Sequence, residues 1–147
     1  MRSRVLVVDD EPDILAALRT FLEGSLDVEV VSAASGDEGL AALRAGGVDL
    51  VISDYRMPVM DGLVFLSRAE ELCPKVPRVL ITAYPDMQLA INALNQAHIA
   101  RFLVKPVEPD QLQGVIEGLL GKRLRSTQSE AAFERAAGKA DPRPAKP

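Results

Sequence analysis

Three acidic residues follow one another near the start of the chain, at the end of an apolar run. Asp9, Asp10 and Glu11 come directly after residues 5–8, which are Val and Leu only. Like charges in contact repel one another, so something must favour this arrangement. A metal ion between the carboxylates, a proton shared by two of them, or a helix N-terminus that stabilises negative charge would each do so.

Polar residues also end three other apolar runs, at Asp54, at Thr82 and at Lys105. A single aspartate at such a place is more often part of a turn or a helix cap. If the runs are parallel strands of one sheet, their carboxyl ends share one edge, and ligands bind at that edge in open α/β sheets. We therefore predict one site that combines three carboxylates, a hydroxyl and an ammonium group.

The residue types at this edge indicate phosphoryl chemistry with a hard cation. Carboxylates without His or Cys favour Mg²⁺, which also binds waters and phosphoryl oxygens. The sole histidine, His98, precedes the fifth apolar run, which argues against a zinc site or a histidine base. Lys105 suits one phosphoryl oxygen and Thr82 can donate to another, while a carboxylate can act as a nucleophile and form an aspartyl phosphate. A cation bound between the acids would explain why they lie next to one another despite their repulsion.

Apolar runs and helical patterns alternate five times along the chain. The predicted strands are residues 4–8, 28–33, 49–54, 78–83 and 100–104; the predicted helices are residues 11–22, 36–47, 61–72, 86–97 and 110–124. Continuous apolar runs are typical of strands buried on both faces. Alternating strands and helices predict an α/β fold, with a doubly wound parallel sheet and helices on both sides.

The fourth predicted helix carries apolar residues at helical spacing, and we expect them to face the core. These residues are Met87, Ala90, Ile91 and Leu94. The same pattern leaves Gln88, Asn92, Asn95 and Gln96 outside. The exposed row would then be polar and uncharged.

Composition limits the function classes. The chain has 147 residues, 48% of them hydrophobic, and one cysteine, Cys73, which excludes an intramolecular disulfide. We expect a reducing, cytoplasmic setting and no membrane partner, since no apolar run approaches the ~20 residues of a membrane span. Residues 1–121 carry 18 acidic and 10 basic residues, whereas residues 122–147 carry 3 acidic and 7 basic. An acidic body is a poor match for nucleic acid.

Four segments resemble the receiver domain of bacterial two-component response regulators: VLVVDDEPDI, VISDYRMPVMDG, VLITAY and FLVKP. The resemblance covers about residues 3–121. It implies a flavodoxin-like (βα)5 fold with strand order 2-1-3-4-5. It also implies that Asp54 accepts a phosphoryl group from a sensor histidine kinase or a phosphotransfer protein, without enzymatic turnover beyond self-phosphorylation from small donors and self-dephosphorylation.

The resemblance assigns roles to the other residues of the predicted site. Mg²⁺ would be held by Asp9, Asp10, Asp54 and the backbone carbonyl of Arg56. Lys105 would bind the phosphoryl group, Thr82 would move toward it, and Phe102 stands at the aromatic switch position, where the family more often has Tyr. Arg56, Ala83 and Tyr84 would modulate phosphoryl access and loss. The Lys105–Pro106 bond is expected to be cis, and the output face is expected on the fourth helix, fifth strand and fifth helix, where a homodimer is possible.

We divide the chain into a receiver domain, residues 1–122, and a C-terminal extension, residues 123–147. The extension is expected to be partly helical and then disordered, or to be a linker to an output domain. The segment AHIARFLVKPVEPDQL also resembles receivers joined to enhancer-binding or cyclic-di-GMP-degrading output domains. The sequence identifies no downstream partner.

Two alternatives to a phosphorylated receiver remain at this point. The first is a Mg²⁺-dependent phosphatase of the haloacid dehalogenase type, whose nucleophilic Asp is followed by a second Asp two residues later; Arg56 occupies that place. The second is a receiver that is never phosphorylated and acts as a protein-binding module. A flavin or nucleotide binder would need a Gly-rich phosphate loop, and the chain has DDEPD after its first strand.

Overall fold

Five strands and five helices alternate along the chain in the predicted order. In this computed structural model the structure describes residues 2–84 and 86–121, so the expectation for residues 123–147 lies outside the described residues. The elements are β1 Ser3–Val8, α1 Pro12–Ser25, β2 Val28–Ala33, α2 Gly36–Ala45, β3 Leu50–Asp54, α3 Gly62–Leu72, β4 Arg78–Thr82, α4 Met87–Gln96, β5 Arg101–Val104 and α5 Pro109–Leu120. Among these ten elements, no helix combines the length and the apolar character that crossing a membrane requires.

All four strand pairings are parallel, and the sheet has the order β2-β1-β3-β4-β5. The flavodoxin-like prediction is therefore confirmed. At the carboxyl ends of the strands, Val8 pairs with both Ala33 and Ser53. Asp54 pairs with Ile81, and the next residue of β4, Thr82, pairs with Val104 of β5. This register places the carboxyl ends of β1, β3, β4 and β5 side by side.

Two apolar layers cover the two faces of the sheet. One layer packs against α2, α3 and α4 and contains Leu6, Phe65 and Leu80, which are fully buried. The other packs against α1 and α5 and contains Ile52 and Ile116. Because successive residues of a strand point to opposite faces of the sheet, each apolar run contributes side chains to both layers. The chain thus holds its site at the edge of a sheet that is buried on both sides.

Polar side chains cap the N-termini of three of the helices. Ser35, Asp61 and Asp86 each accept a hydrogen bond from the backbone N–H three residues on, at the starts of α2, α3 and α4. Such caps satisfy N–H groups that the helix itself leaves without partners. Helices α1 and α5 begin instead with Pro12 and Pro109, whose fixed φ suits a first turn.

The predicted orientation of α4 is wrong. Leu89 and Ala93 are buried, whereas Met87, Ile91 and Leu94 are 79%, 43% and 56% exposed. Ala90 is only partly buried, and Asn92, which we expected outside, is also partly covered. Leu89, Ala93 and Ala97 form their own stripe at spacing i, i+4, i+8, and all three belong to the buried apolar layer that contains Phe65 and Leu80. Two apolar stripes compete on this helix, and the larger side chains lie on the exposed one.

Candidate functional site

The end of β1 places the first carboxylate inside the fold. The N–H of Asp9 donates to the carbonyl of Ala33 at 3.1 Å, which extends the pairing with β2 by one residue. The N–H of Glu11 donates to Oδ1 of Asp9 at 2.9 Å, so the chain turn that follows β1 holds this side chain. Asp9 is 3% exposed. A buried carboxylate is costly unless it is paired, so its partners matter.

Asp54 and Lys105 form the centre of the site. Asp54 is the last residue of β3, and its side chain is 10% exposed. The N–H of Lys105 donates to the carbonyl of Thr82 at 2.9 Å, which aligns the residue with the end of β4. Its Nζ lies 2.8 Å from Oδ1 of Asp54 and 3.8 Å from Oδ2 of Asp9. One ammonium group therefore links two of the predicted carboxylates.

The three predicted acids come together. Asp9, Asp10 and Asp54 each offer a carboxylate oxygen, and these oxygens all lie within 4.8 Å of one another. Asp10 is the most exposed of the three. With Lys105 included, the group still has more negative than positive charges. A small set of oxygen ligands with excess negative charge, open on one side, fits a hard divalent cation such as Mg²⁺.

Burial and neighbouring charges shift the pKa values of two members. Burial is the largest cause that raises the pKa of Asp9 above its ordinary value, and the charges of Asp54 and Asp10 raise it further. The N–H of Glu11 and the ammonium of Lys105 oppose that rise. For Lys105, burial by itself lowers the pKa, but the hydrogen bond to Asp54 and the nearby acids outweigh burial and raise it. Lys105 is therefore a permanent cation at neutral pH.

Gly62 fixes the loop between β3 and α3 against the site. Its N–H donates to the carbonyl of Tyr55 at 2.7 Å. A Cβ at this position would lie 2.1 Å from the carbonyl oxygen of Asp54 and 2.9 Å from Cα of Tyr55. No side chain fits there without moving backbone, so glycine is required for the loop to return this closely to the end of β3.

The two predicted switch residues lie in different surroundings. Thr82 ends β4 and is 1% exposed, and its Oγ1 accepts a hydrogen bond from the N–H of Tyr84 at 3.0 Å. Phe102 pairs with Leu80 two residues before the sheet edge and packs, half-buried, against the layer under α2, α3 and α4. Thr82 is therefore at the site edge, while Phe102 lies behind it. The predicted cis Lys105–Pro106 bond is confirmed.

Two of the three predicted modulators contact each other. The guanidinium carbon of Arg56 lies 4.4 Å from the centre of the Tyr84 ring, within the range of a cation–π contact. This contact joins the loop after β3 to the loop after β4. The sequence placed each residue near the site but carried no signal for the stacking. Ala83, the third modulator, is exposed and lines a groove together with Asp54 and Lys105.

That groove, which the sequence pattern did not predict, lies between α1 and α5. Its volume is ≈ 570 Å³, and we call it the α1–α5 groove. Its main apolar lining residues are Ile14, Ala17, Leu18, Phe21, Val107, Pro109 and Leu112, above strand residues of β1, β3 and β4. The spacing of Ile14, Leu18 and Phe21 predicts one helix face. The pattern does not predict that α5 leaves this face of α1 partly uncovered, because that depends on how the two helices pack.

Known proteins show the same pattern over most of the chain. The family model for the response regulator receiver domain matches residues 5–117. The transcriptional regulatory protein GlrR of Escherichia coli K12 is 38% identical over 127 residues, which cover 85% of this chain and 28% of that protein. The chain thus spans about a quarter of this relative's length.

Solved structures agree with the sequence matches. The signal receiver domain of an HD domain-containing protein from Pseudomonas fluorescens Pf-5 superposes with a TM-score of 0.78 at 33% identity, covering 82% of this chain and 96% of that one. A CheY-like receiver domain protein from Methanospirillum hungatei JF-1 superposes with a TM-score of 0.77 at 30% identity, covering 90% and 99%. Both likenesses extend over nearly the whole of the solved chains.

Proposed function

This chain belongs to the response regulator receiver domain family, and we propose that Asp54 is its phosphoacceptor in two-component signalling. The observation that carries the assignment is the 2.8 Å contact between Lys105 and Asp54 at the carboxyl edge of the sheet. It supports a role in which an ammonium group is held where a phosphoryl oxygen would come. The phosphatase alternative is not favoured, since Arg56 stands where a second catalytic Asp would be needed.

The proposed reaction is a transfer between nitrogen and oxygen. A carboxylate oxygen of Asp54 attacks the phosphorus of a phosphorylated histidine on a donor protein. The O–P bond forms as the P–N bond breaks, and the bonding pair leaves with the imidazole nitrogen. The donor is a sensor histidine kinase or a phosphotransfer protein. The same attack on a small phosphodonor would label Asp54 without a partner.

Mg²⁺ would be held by Asp9, Asp10, Asp54 and the backbone carbonyl of Arg56. When bound, the ion supplies charge neutralisation for the phosphoryl oxygens. This chain's own residues do the rest. Asp54 provides the nucleophilic oxygen, Lys105 shifts from that carboxylate to a phosphoryl oxygen, and the hydroxyl of Thr82 exchanges its contact with the Tyr84 N–H for another phosphoryl oxygen.

Movement of Thr82 is the start of the proposed switch. Thr82 is buried at the end of β4, so its departure opens space that the half-buried Phe102 can fill from the neighbouring strand. Because Phe102 has no hydroxyl, its two positions differ by packing alone. Moving such an equilibrium from 1:99 to 99:1 takes about 5.5 kcal/mol of differential interaction. Charge-assisted contacts from Lys105 and Thr82 would supply part of it.

The modulating role falls to Arg56, Ala83 and Tyr84. The stacked Arg56 and Tyr84 side chains link the loops on either side of Asp54, and both are exposed to solvent. Such a pair would restrict how water approaches an aspartyl phosphate. Ala83 is small and lines the groove beside Asp54, so it leaves a path for a phosphodonor. A bulky residue there would narrow that path.

The output face would be α4, β5 and α5. Exposed apolar side chains on this face, Met87, Ile91, Leu94 and Val104, give it a character that the sequence pattern did not predict. We propose that this face binds a second copy of the chain or an output partner after phosphorylation. Residues 1–122 would form the receiver domain, and residues 123–147 an extension or a linker to an output domain.

Labelling of Asp54 by a small phosphodonor tests the assignment. Intact chain is treated with acetyl phosphate and Mg²⁺, and the phosphoryl adduct is located by mass spectrometry of peptides. We expect one adduct at Asp54 and none in Asp54→Asn. The matched control is Asp37→Asn, which removes an exposed carboxylate in the first turn of α2 and leaves labelling unchanged. An adduct that persists in Asp54→Asn at the same peptide would refute the proposal.

A further inference from the structure

Strand β2 forms one edge of the sheet, with β1 as its neighbour. Alternate residues of an edge strand direct their peptide N–H and C=O groups away from the sheet, where another strand can pair with them. In β2 the peptide groups of Val30 bond to side chains of α1, so Val30 is directed outward. Val28 and Ser32, two residues away on either side, are therefore directed outward as well. Such an edge is a template for strand addition unless something covers it.

Two charged side chains of α1 cover the middle of this edge. The N–H of Val30 donates to Oε2 of Glu23 at 2.8 Å, and Nη2 of Arg19 donates to the carbonyl of Val30 at 3.0 Å. The same Nη2 lies 3.3 Å from Oγ of Ser32. Because Arg19 and Glu23 stand four residues apart, about one helical turn, both reach the edge from one face of α1. Together they occupy the donor and the acceptor that a further strand would use at Val30.

The cover continues toward both ends of β2. At the start of the strand, Nη2 of Arg2 donates to the carbonyl of Val28. Just past its end, the N–H of Ala34 donates to Oε1 of Glu38 at 2.9 Å. The covering groups thus come from the N-terminal segment, α1 and α2, and every one of them is charged. Hydrogen bonds to charged groups are roughly twice as strong as those between neutral groups, so this cover competes well with the neutral peptide groups of an incoming strand.

We propose that Arg19 and Glu23 close the β2 edge against a second copy of the chain, whose own β2 is the strand that the uncovered edge would bind. Two copies of this edge are complementary to each other. In an antiparallel pair about a two-fold axis near Val30, each copy supplies the donors and acceptors that the other needs. Composition favours the pairing, since residues 28–31 include three valines, which suit a β-strand. The two α1 side chains therefore keep the chain from extending its sheet.

The covered edge is separate from the proposed output face. Strands β2 and β5 lie at opposite edges of the sheet, and the output face contains β5. Association through β2 should therefore need neither Mg²⁺ nor a phosphoryl mimic such as beryllofluoride. It should also persist in Ile91→Glu, which alters the exposed stripe of α4. These two properties distinguish a β2 dimer from a dimer formed through α4, β5 and α5, and they leave the role of Asp54 untouched whatever the result.

Light scattering of the full chain, without Mg²⁺ or phosphodonor, tests the proposal. Arg19→Ala/Glu23→Ala uncovers Val30, and we expect its mass to rise to about twice that of the natural chain, as closed two-fold pairing gives. The matched control is Arg44→Ala/Glu71→Ala, which removes one arginine and one glutamate from exposed positions on α2 and α3. Both variants keep the net charge, and the control should keep the natural mass. An unchanged mass of Arg19→Ala/Glu23→Ala would overturn the proposal.

A proline in β2 identifies the strand as the contact. Ser32→Pro removes an outward N–H at an exposed position, a place where an edge strand tolerates proline. Added to Arg19→Ala/Glu23→Ala, it should return the mass to that of the natural chain. Association that persists with the proline present would contradict the location.

Hydrogen exchange gives a reading that does not depend on the double variant. In dilute solution the amide of Val30 should exchange many-fold faster in Glu23→Ala than in the natural chain, because its acceptor is gone. The amide of Leu6, which lies inside the sheet between β2 and β3, reports on the fold and should exchange at the same rate in both. Equal rates at Val30 would show that Glu23 does not close the edge.

Discussion

Nζ of Lys105 lies 2.8 Å from Oδ1 of Asp54, and the same ammonium reaches Oδ2 of Asp9 at 3.8 Å. These residues come from the ends of three different strands. The contact keeps two largely buried carboxylates beside a cation, and it places that cation next to the oxygen that we propose as nucleophile. A change in the charge of Asp54 therefore acts directly on the ammonium group of Lys105.

Loss of the lysine should destabilise the metal-free fold. Lys105→Met leaves Asp54 and Asp9 without their ammonium partner, and a charge-assisted contact of this kind contributes about 1.5–3 kcal/mol. We expect a fall of that size in the free energy of unfolding, measured by urea denaturation without Mg²⁺. Lys75→Met, at an exposed position before β4, is the matched control and should change stability little. Equal stability of the two variants would contradict this expectation.

Magnesium binding should weaken as the pH falls. A raised pKa means that Asp9 keeps its proton to a higher pH than an ordinary aspartate, and that proton must leave before the carboxylate binds a metal. The sign for stability is opposite: the Asp9 contribution in the metal-free chain is present below the ordinary aspartate pKa and is lost as the pH rises through the raised value. Asp9→Asn should flatten that dependence of stability.

Calorimetric titration with Mg²⁺ in steps from about pH 8 to about pH 3.5, just below the ordinary aspartate pKa, checks the binding prediction. Thermal denaturation of the metal-free chain and of Asp9→Asn over the same range checks the stability prediction. The asparagine oxygen can still accept from the N–H of Glu11, so the variant keeps the local turn. An affinity for Mg²⁺ that stays constant across the series would show that no proton competes at Asp9.

Any side chain at position 62 should disturb the phosphorylation site. Gly62→Ala puts a Cβ 2.1 Å from the carbonyl oxygen of Asp54, and backbone must move to make room. Overpacking of this kind costs about 1–3 kcal/mol, and we also expect slower labelling of Asp54 by acetyl phosphate. Gly118→Ala is the control: nothing lies within 4 Å of its Cβ, so it should stabilise α5 by about 0.5–1 kcal/mol. Normal labelling rates in Gly62→Ala would show that the close approach of this loop does not set the reactivity of Asp54.

The stacked pair should act as one unit. Arg56→Ala and Tyr84→Ala should each speed loss of the phosphoryl group, because either change frees both loops beside Asp54. The double variant should lose it no faster than the faster single variant. Decay of the labelled chain, followed by phosphate release, gives the three rates. Additive effects in this double-mutant cycle would mean that the contact does not couple the residues.

Substitutions on α4 should distinguish its two apolar stripes. Ile91→Glu changes an exposed position and should alter the free energy of unfolding by no more than about 0.5 kcal/mol. Ala93→Glu buries an unpaired charge and should cost about 3 kcal/mol or more. If the exposed stripe is the output face, Ile91→Glu should also abolish dimers that form with beryllofluoride and Mg²⁺, as seen by light scattering. If Ile91→Glu destabilised the chain more than Ala93→Glu, the helix orientation expected from the sequence would be correct instead.

The sequence by itself determined the fold and the members of the site. Apolar runs alternating with helical patterns require a parallel sheet, and the strand ends of such a sheet meet at one edge. That is why the residue pattern alone groups Asp9, Asp54 and Lys105, although they lie far apart in the chain. Strand identity depends on patterns within short segments, and those patterns were strong throughout. The strand order was expected only from the resemblance to receiver domains, and the structure has that order.

Tertiary packing alone decided which surface each helix presents and how neighbouring loops touch. On α4 two apolar stripes satisfied the same helical period, and packing in the core buried the stripe of Leu89, Ala93 and Ala97. The stacking of Arg56 on Tyr84 depends on the relative heights of two loops. The α1–α5 groove depends on the distance between two helices that share a sheet face. The pattern of residues along the sequence does not specify these distances, because each depends on contacts between residues that are remote in the chain.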